Sequence, residues 1–331
     1  MKKLYLFLFL ISTITVSCVK ETTPRREQPS QDIDINYVSM FASIEEQEIY
    51  KTMTDLMASC GMYKIIEGNT YVLYIVNDEN FKKYKLPENC EKVTDLPKSM
   101  QESLLRYHIV ETDNLSLTEN YYTNTFADPL HGKRKVQLYC GNSEGTNKIM
   151  TSNLLNISDT KDANAFSQGA YLPIDGVLYP DLYNHILSNP DLSMFSQFLA
   201  LEGLSNEFKV LIKNHSAKAI FVPDNYIMAA ILKEHDINNV KDIPEELIIT
   251  LEAKMKEFIV VNKVIYLSDN ENTVTCKAGN SLDYSFDDKE EKYKIHNSKD
   301  LANVYYYSTQ YDIQAINGTM IILNEVTQEV E

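Results

Sequence analysis

One sequence pattern occurs twice in this chain. Ser167–Leu178 reads SQGAYLPIDGVL, and Ile316–Val326 reads INGTMIILNEV. Upstream of each lies an apolar strand with a turn into a helix, Tyr74–Phe81 (YIVNDENF) in one case and Phe221–Met228 (FVPDNYIM) in the other. The copies are about 150 residues apart, far more than the roughly 20–50 residues of a solenoid unit. The pattern therefore predicts one whole domain present in two copies.

The N-terminal segment indicates where this pair of domains works. Two lysines precede the apolar run Leu4–Ile14, which suits a secretory signal because a membrane span needs about 20 apolar residues. Ser17 and Cys18 at the end of this run resemble the cleavage and acylation site of bacterial lipoproteins, with an ordinary secretory signal as the alternative. We therefore expect residues 1–17 to be a lipoprotein signal peptide and Cys18 to carry the lipid.

The segment over residues 18–35 is polar, contains two prolines and has almost nothing to bury. Such a composition predicts a disordered tether between the lipid and the first domain. Lys20 and Glu21 are similar to the charged surface-export signal that bacteria of the Bacteroidetes type carry after the lipidated cysteine. We therefore expect a lipid-anchored protein of the cell envelope, in the outer membrane, with exposure at the cell surface as an open alternative.

Length and charge set the domain count and restrict the partners. The chain has 331 residues, of which 44% are hydrophobic, enough for two domains, which we assign to residues 36–180 and 181–331. Removal of residues 1–17 takes away two lysines and moves the formal charge from −16 to −18. A chain this acidic is repelled by phosphate backbones, so nucleic acid is excluded as a partner.

Four cysteines remain after Cys18, and their pattern leaves two interpretations open. An even number outside the cytoplasm permits two disulfides, while cores of this size are stable without cross-links and favour reduced thiols. No pair has the CxxC spacing of a zinc or redox site. The four are Cys60, Cys90, Cys140 and Cys276.

Apolar periodicity and turn residues predict the same order of elements in both copies. In the first copy the predicted helices are Ser43–Ile66 and Lys98–His108, and the predicted strands are Tyr71–Val76, Ile109–Val110 and Val136–Cys140. In the second copy the predicted helices start at Pro190, Tyr226 and Leu247, and the predicted strands are Ala219–Val222, Ile259–Leu267, Thr273–Lys277, Tyr293–His296, Val304–Tyr307, Asp312–Ile316 and Met320–Val326.

These phrases resemble the fasciclin domain family. The family has a strand ending like FAPTNEAF, a helix ending in YH before a Val/Ile pair, and a closing phrase like NGVIHVIDGVLLP. The first copy matches at Tyr74–Phe81, Tyr107–Val110 and Ile174–Pro180, and the second at Phe221–Asn225 with Asn317 and Gly318. Phe258 stands where the family has histidine, and Asn324 where it has aspartate.

The resemblance implies an α+β fold with two tandem fasciclin-like domains, each a β-wedge or small sandwich flanked by helices. It also implies structural roles for Asp78, His108, Gly169, Asp175, Asn225, Asn317 and Gly318. We expect Asp78 and Asn225 to cap helices, Gly169 and Gly318 to adopt positive φ, and His108 to be buried with its ring bonded to a backbone carbonyl.

Catalytic and metal-binding motifs are missing from the sequence. It contains no GxSxG, GxxxxGK[ST] or HExxH, and Glu234–Asp236 are neighbours on a helix, so they point in different directions. The acid-rich segments Asp269–Asn272 and Asp287–Glu291 lack the spacing of a calcium loop. We therefore predict no enzyme, no metal and no cofactor; a hydrolase without these motifs is the least favoured reading.

The chain has 22 tyrosines and no tryptophan. Clustered tyrosines can bind a sugar or a protein partner, although alternate rings of a strand face opposite ways. We expect the Thr118–Leu138 insertion to form a variable contact surface. The candidate contacts are Tyr121, Tyr122, Tyr305, Tyr306 and Tyr307. The resemblance implies adhesion or scaffolding with a protein or glycan partner; the alternative is a glycan-binding accessory lipoprotein of a polysaccharide-uptake system.

Overall fold

The computed structural model describes residues 40–61, 71–82, 90–111, 121–142, 149–150, 164–166, 169–178, 181–269, 272–300 and 303–328. We call the described part of residues 40–178 the first repeat and that of residues 181–328 the second repeat. The predicted signal peptide, Cys18 and the tether lie outside the described residues. Both repeats belong to one compact unit, and the domain boundaries at 36–180 and 181–331 stay predictions.

The first repeat begins with helices and ends on a strand. Its helices are α1 Met40–Glu45, α2 Lys51–Cys60, α3 Asp78–Phe81 and α4 Lys98–Tyr107. Its strands are β1 Tyr71–Val76, β2 Ile109–Glu111, β3 Tyr121–Asn124, β4 Gln137–Asn142, β5 Ile149–Met150, β6 Asn164–Phe166 and β7 Gly169–Ile174.

The second repeat follows the same order with more strands. Its helices are α5 Leu182–Ser188, α6 Ser193–Leu199, α7 Asn206–Lys213, α8 Asn225–Lys233 and α9 Glu245–Lys256. Its strands are β8 Lys218–Pro223, β9 Ile259–Val261, β10 Thr273–Thr275, β11 Ser281–Asp287, β12 Lys292–Asn297, β13 Val304–Ser308, β14 Gln310–Ala315, β15 Gly318–Leu323 and β16 Glu325–Gln328.

The central sheet has the same topology in both repeats. The strand order is β2-β1-β7-β6 in the first repeat and β9-β8-β15-β14 in the second. In each, the two middle strands are parallel and the outer strands pair antiparallel to them. The registers also correspond, because Tyr71 lies opposite Gly169 and Lys218 lies opposite Gly318. The duplicated sequence phrases thus form duplicated strand pairs.

The middle strand β8 is buried along its whole length and divides its side chains between two cores. Ile220 and Val222 belong to one apolar cluster with Phe198 of helix α6. Phe221, between them, belongs to another cluster with Ile295 of the five-stranded sheet β10-β11-β12-β13-β16. The second repeat is therefore two packed sheets with helices against the far side of the central one, and the α+β prediction is confirmed.

The long helix predicted over Ser43–Ile66 is wrong as one element. The structure has α1, a short 3₁₀ turn at Glu48–Tyr50 and α2 in that region. Helix α2 ends because Gly61 takes φ +66°, a left-handed C-cap whose amide reaches back to carbonyls of the last turn. The remaining predicted positions beyond Gly61 lie outside the described residues.

Two predicted strands of the second repeat differ from the observed ones by three residues or more at one end. The strand predicted over Ile259–Leu267 ends at Val261, where Asn262 takes φ +62° and turns the chain. The strand predicted over Met320–Val326 is divided at Asn324 between β15 and β16, which belong to different sheets. By contrast, β1 has the predicted bounds and β8 differs by one residue at each end.

Candidate functional site

The turn after each middle strand has a polar helix cap, one residue earlier than predicted. The Asn77 side chain accepts a hydrogen bond from the Asn80 amide at 2.8 Å, and the Asp224 side chain accepts one from the Ile227 amide at 2.9 Å. The predicted caps, Asp78 and Asn225, are instead the first helical residues. An N-cap side chain reaches the amides two or three positions ahead, which only the last non-helical residue can do well.

Asp78 and Asn225 tie this turn to the preceding helix instead. Asp78 Oδ1 accepts from the Thr52 amide at 2.8 Å, at the start of α2. Asn225 Oδ1 accepts from the Met194 amide at 2.8 Å, at the start of α6. The same polar contact therefore holds the helix against the middle strand in both repeats.

His108 is buried at the end of α4, with 1% of its surface exposed. Its Nδ1 lies 2.7 Å from the Leu104 carbonyl, and its Nε2 lies 3.0 Å from the Leu178 amide, which donates to it. Burial lowers the pKa of His108 to about 4, so the ring is neutral near pH 7. The neutral ring bonds the helix end to the segment that follows β7.

The closing strand of the second repeat begins with two buried residues that leave little room for change. Asn317 accepts from the Leu182 amide at 3.0 Å and donates to the Asn214 carbonyl at 2.8 Å. Gly318 has φ +158°, and a Cβ added there would lie 2.1 Å from the Lys218 carbonyl oxygen. Close backbone approach therefore requires glycine at this position.

Two further motif residues, Gly169 and Asp175, belong to the first repeat. Gly169 begins β7 opposite Tyr71, and its positive φ stays a prediction. Asp175 lies in the bend after β7 and is exposed to solvent.

The loop between β3 and β4 joins the two repeats through an ion pair. Arg134 Nη2 lies 3.1 Å from Oδ2 of Asp312, whose side chain is 2% exposed. The Arg134 guanidinium also stacks 4.5 Å from the Tyr266 ring centroid and donates to Ser268. Asp312 in turn accepts from the amide and hydroxyl of Ser268. A charge of the first repeat is thus paired with a buried carboxylate of the second.

A buried glutamine completes this junction, which we define as the contacts of residues 130–137 with the second repeat. Gln314 is fully buried. Its backbone amide donates to Gln137 Oε1 at 3.0 Å, and its side-chain amide donates to the His131 carbonyl at 3.1 Å. The Leu130 amide donates to the Ile316 carbonyl at 2.9 Å. The insertion that the sequence predicts as a variable surface therefore includes a segment bound to the other repeat.

The sequence held one usable signal for these junction residues. Asp312 and Gln314 alternate with the apolar residues Ile313 and Ala315 in β14, and polar residues in the buried part of a strand need partners. The partners themselves are far away in the sequence, so no local pattern indicates Arg134 or Gln137.

Tyr122, a candidate ligand contact, also lies between the repeats. Its hydroxyl accepts from Asn189 Nδ2 at 3.1 Å, and burial raises its pKa. Its ring centroid is 5.1 Å from that of Tyr139 and 5.9 Å from that of His185. Tyr122 is therefore engaged with the second repeat, and the side chain of Tyr121 lies outside the described residues.

The structure separates the three consecutive tyrosines of β13. Tyr305 lies on the outer face of the five-stranded sheet, where the Lys294 ammonium is 3.6 Å from its ring centroid. Tyr306 faces the other way and packs edge-on against Phe258 at 5.0 Å. Tyr307 is buried. Only Tyr305 therefore lines the outer face as an accessible ring.

A shallow cavity of about 300 Å³ surrounds Tyr305 on that outer face. It combines one aromatic ring with groups that can form hydrogen bonds. The lining residues include Asp283, Ser285, Lys294, His296 and Tyr305. Such a combination can hold a polar ligand against the tyrosine ring.

The described part of the chain offers few groups for metal binding or thiol chemistry. Those residues contain no group of three or more His, Cys, Asp or Glu side chains placed to hold a metal. Cys60, Cys90, Cys140 and Cys276 form no disulfide with one another. Burial raises the pKa of the Cys276 thiol to about 12, so it remains protonated. Among the described helices, none has the length and apolar character needed to cross a membrane.

Comparison with known proteins adds a similar solved structure. No family model matches the sequence, and no curated protein matches it. A solved FAS1 domain pair from the insect cell adhesion molecule fasciclin I is similar to this chain, with a TM-score of 0.49 and 13% sequence identity. The similarity covers 84% of this chain and 96% of that chain.

Proposed function

We propose that this chain is a non-catalytic, lipid-anchored protein of the bacterial cell envelope that acts in adhesion or scaffolding through two fasciclin-like domains. The lipoprotein-like site at Cys18 supports the anchor, and the fasciclin-like phrases of both copies support the adhesive role. The junction between the repeats is the observation that carries the proposal.

The junction holds the two repeats in one arrangement. Arg134 and Gln314 contribute buried or charged contacts across it, and Tyr122 adds an aromatic contact. A partner that touches both repeats therefore does not have to order them first, and preorganisation of this kind favours binding. A fixed pair of domains on a lipid tether suits a protein that links the envelope to a partner.

Attachment of cells tests the adhesive role. Cells that display the full chain should attach to layers of native envelope in a saturable way, measured under flow. Arg134→Ala should weaken attachment because it loosens the junction. Lys135→Ala is the matched control, since Lys135 pairs with exposed Asp128 of its own repeat. Equal attachment by cells with and without the chain would contradict the proposal.

The anchor has a separate test. Metabolic labelling with a fatty-acid analogue should mark the full chain and leave Cys18→Ser unmarked. Labelling that survives Cys18→Ser would rule out Cys18 as the acylated residue.

The outer-face cavity around Tyr305 favours glycan binding as a second candidate function. On a glycan array, the chain should then bind a defined sugar class, and Tyr305→Ala should abolish that binding. Tyr226→Ala is the control, because Tyr226 is 66% exposed and lies on helix α8. Array binding that is equal for both variants would exclude Tyr305 as a sugar contact.

A further inference from the structure

A cavity of about 410 Å³ lies in the second repeat between helices α8 and α9 and the edge of β13 and β16. We call it the α8–α9 cavity. Its volume falls within the roughly 300–1,000 Å³ typical of small-molecule sites. The cavity is remote in sequence from the junction loop and shares none of its residues with the junction. It is therefore a separate feature of the molecule.

The wall of the α8–α9 cavity is mainly apolar. Ile227 of α8, Leu251 and Met255 of α9, and Leu323 of β15 are all nearly inaccessible and line it. The ring of Phe258 adds an aromatic surface. A ligand body that fits here gains free energy by leaving water, and a ring can stack beside Phe258.

One end of the cavity is polar, with lysine ammonium groups paired to carboxylates. The Lys254 ammonium contacts the carboxylate of Asp300 and lies 3.1 Å from Glu257 Oε2. Glu257, behind the lining, also lies 3.4 Å from the Lys299 ammonium. These two cations and two carboxylates compensate each other, and the charge of Glu234, which also lines the cavity, is exposed and screened by solvent. A charged ligand would have to compete with these pairs, so the cluster favours a neutral one.

Asp300 can still accept a hydrogen bond from a ligand. Its Oδ1 contacts Lys254, and its Oδ2 accepts from the Tyr306 hydroxyl at 3.0 Å. A carboxylate has about four acceptor positions, so a further O–H or N–H donor can reach it from the cavity. The Tyr306 ring holds this carboxylate beside the apolar wall.

We propose that the α8–α9 cavity binds a compact, neutral aromatic molecule that carries one hydrogen-bond donor. The aromatic body packs against Phe258 and the apolar side chains, and the donor binds the Asp300 carboxylate. This binding is a function in addition to adhesion, and its readout does not depend on attachment of cells.

Photocrosslinking with 4-hydroxybenzophenone tests the proposal on the full chain in membrane vesicles. The probe is a neutral aromatic ketone with one phenolic donor at mildly acidic pH. On irradiation its ketone oxygen takes the hydrogen atom from a nearby C–H bond, and the two carbon radicals combine, so the ketone becomes a tertiary alcohol bonded to the protein. Peptide mass spectrometry should locate the crosslinks on α8 and α9. 4-Benzylphenol, which has a similar shape and no ketone, should suppress them.

Two alanines of α8 provide a matched pair of variants. Ala230 lines the cavity, whereas Ala229 of the same helix is exposed. Ala230→Phe should fill the cavity and raise the half-saturating probe concentration about tenfold or more, and Ala229→Phe should leave it unchanged. Asp300→Ala with Tyr306→Phe should weaken labelling because the acceptor and the hydroxyl that positions it are lost.

The outcomes decide the proposal in either direction. Crosslinks confined to α8 and α9 that 4-benzylphenol removes would support it even if Ala230→Phe did not fold. Crosslinks scattered over the chain, or labelling equal in Ala230→Phe and Ala229→Phe when both variants are folded, would overturn it.

Discussion

The two repeats place different rings at one backbone position. The carbonyl of His108 accepts from the Tyr74 amide at 2.8 Å, and the carbonyl of Phe258 accepts from the Phe221 amide at 2.9 Å. The His108 ring then bonds two backbone groups, whereas the Phe258 ring packs on Tyr306 and lines the α8–α9 cavity. The framework is shared, and the side chains at matched positions determine what each repeat can do.

The first residues of the middle strands differ in the same way. Tyr71 is an apolar core residue, whereas Lys218 is fully buried and donates to the carbonyls of Leu211 and Asn214 at 2.7 Å. These carbonyls end helix α7, where a cation is favoured by the helix dipole. The second repeat thus stabilises the end of α7 from a position that the first repeat uses for packing.

Of the substitutions that distinguish the two repeats, a methyl group at Gly318 should have the largest effect on stability. The added Cβ would lie 2.1 Å from the Lys218 carbonyl oxygen, so β15 would have to move away from β8. We expect Gly318→Ala to lower the free energy of unfolding by on the order of 4 kcal/mol, measured by urea denaturation.

Gly279→Ala is the control for that measurement. Gly279 has φ +81° and nothing within 4 Å of an added Cβ, so the cost should be only about 1–2 kcal/mol. Equal losses at the two glycines would show that backbone angle, and not close approach to Lys218, is the cause.

Replacement of His108 by phenylalanine, the residue at the matched position of the second repeat, tests what the histidine ring contributes. His108→Phe copies the second repeat and removes the partners of the Leu104 carbonyl and the Leu178 amide. Buried groups left without partners should lower the free energy of unfolding by about 2–3 kcal/mol, measured in urea. An unchanged value would mean that these hydrogen bonds do not stabilise the first repeat.

The stability of the chain with His108 and that of His108→Phe should also depend differently on pH. Burial lowers the pKa of His108 to about 4 in the folded chain, against about 6.5 when unfolded. As the pH falls between these values, the unfolded chain takes up a proton and the folded one does not. Stability due to His108 is therefore present above pH 6.5 and lost toward pH 4, by about 3 kcal/mol. His108→Phe lacks this titration, so its deficit should shrink in acid; a constant deficit would contradict the assignment.

Removal of the charge at the junction should have a smaller effect. Arg134→Ala leaves the Asp312 carboxylate with hydrogen bonds from its own repeat but no cation from the other. We expect a loss of about 1–2 kcal/mol and faster hydrogen exchange at the Leu130 amide, measured by mass spectrometry. Lys135→Ala breaks an exposed pair with Asp128 and a hydrogen bond to the Phe126 carbonyl, both within the first repeat, and should cost less than about 1 kcal/mol.

The smallest expected change is a gain in stability. His185 is fully buried, and neither of its ring nitrogens has a hydrogen-bond partner in the described part of the chain. Burial lowers its pKa to about 4. His185→Phe removes these unsatisfied atoms and keeps a ring beside Tyr122, so stability at neutral pH should rise by about 1 kcal/mol. A loss in urea denaturation would indicate a partner for the imidazole.

The sequence predicts those parts of the fold whose signals are local. Strand β1 has the predicted bounds because an apolar run ends at turn residues, and the caps Asn77 and Asp224 lie one position from those predicted. Helix α7 is missing from the prediction, which has no helix between the one that starts at Pro190 and the strand Ala219–Val222, although Ser205 caps it. Strand β11 is also missing from the prediction, because its alternating apolar residues lie among acidic ones.

The candidate sites depend on contacts between distant residues, which local signals do not encode. Arg134 meets Asp312 only after both repeats have folded, and Lys254 of α9 meets Asp300 in the same way. The tyrosine run of β13 was identified as a contact region, but a sequence period of two could not tell which face Tyr305 and Tyr306 would each occupy.

The parallel pairing of the middle strands has a consequence for biosynthesis. Each middle strand is joined to a partner that follows it by about 100 residues of chain. While the polypeptide is being made, β1 must wait for β7 to emerge, and β8 must wait for β15. The first repeat can close its sheet early, but the second stays open until β15 has been translated. Chains stopped short of Gly318 would therefore carry one finished repeat and one exposed apolar edge, a target for quality-control proteases.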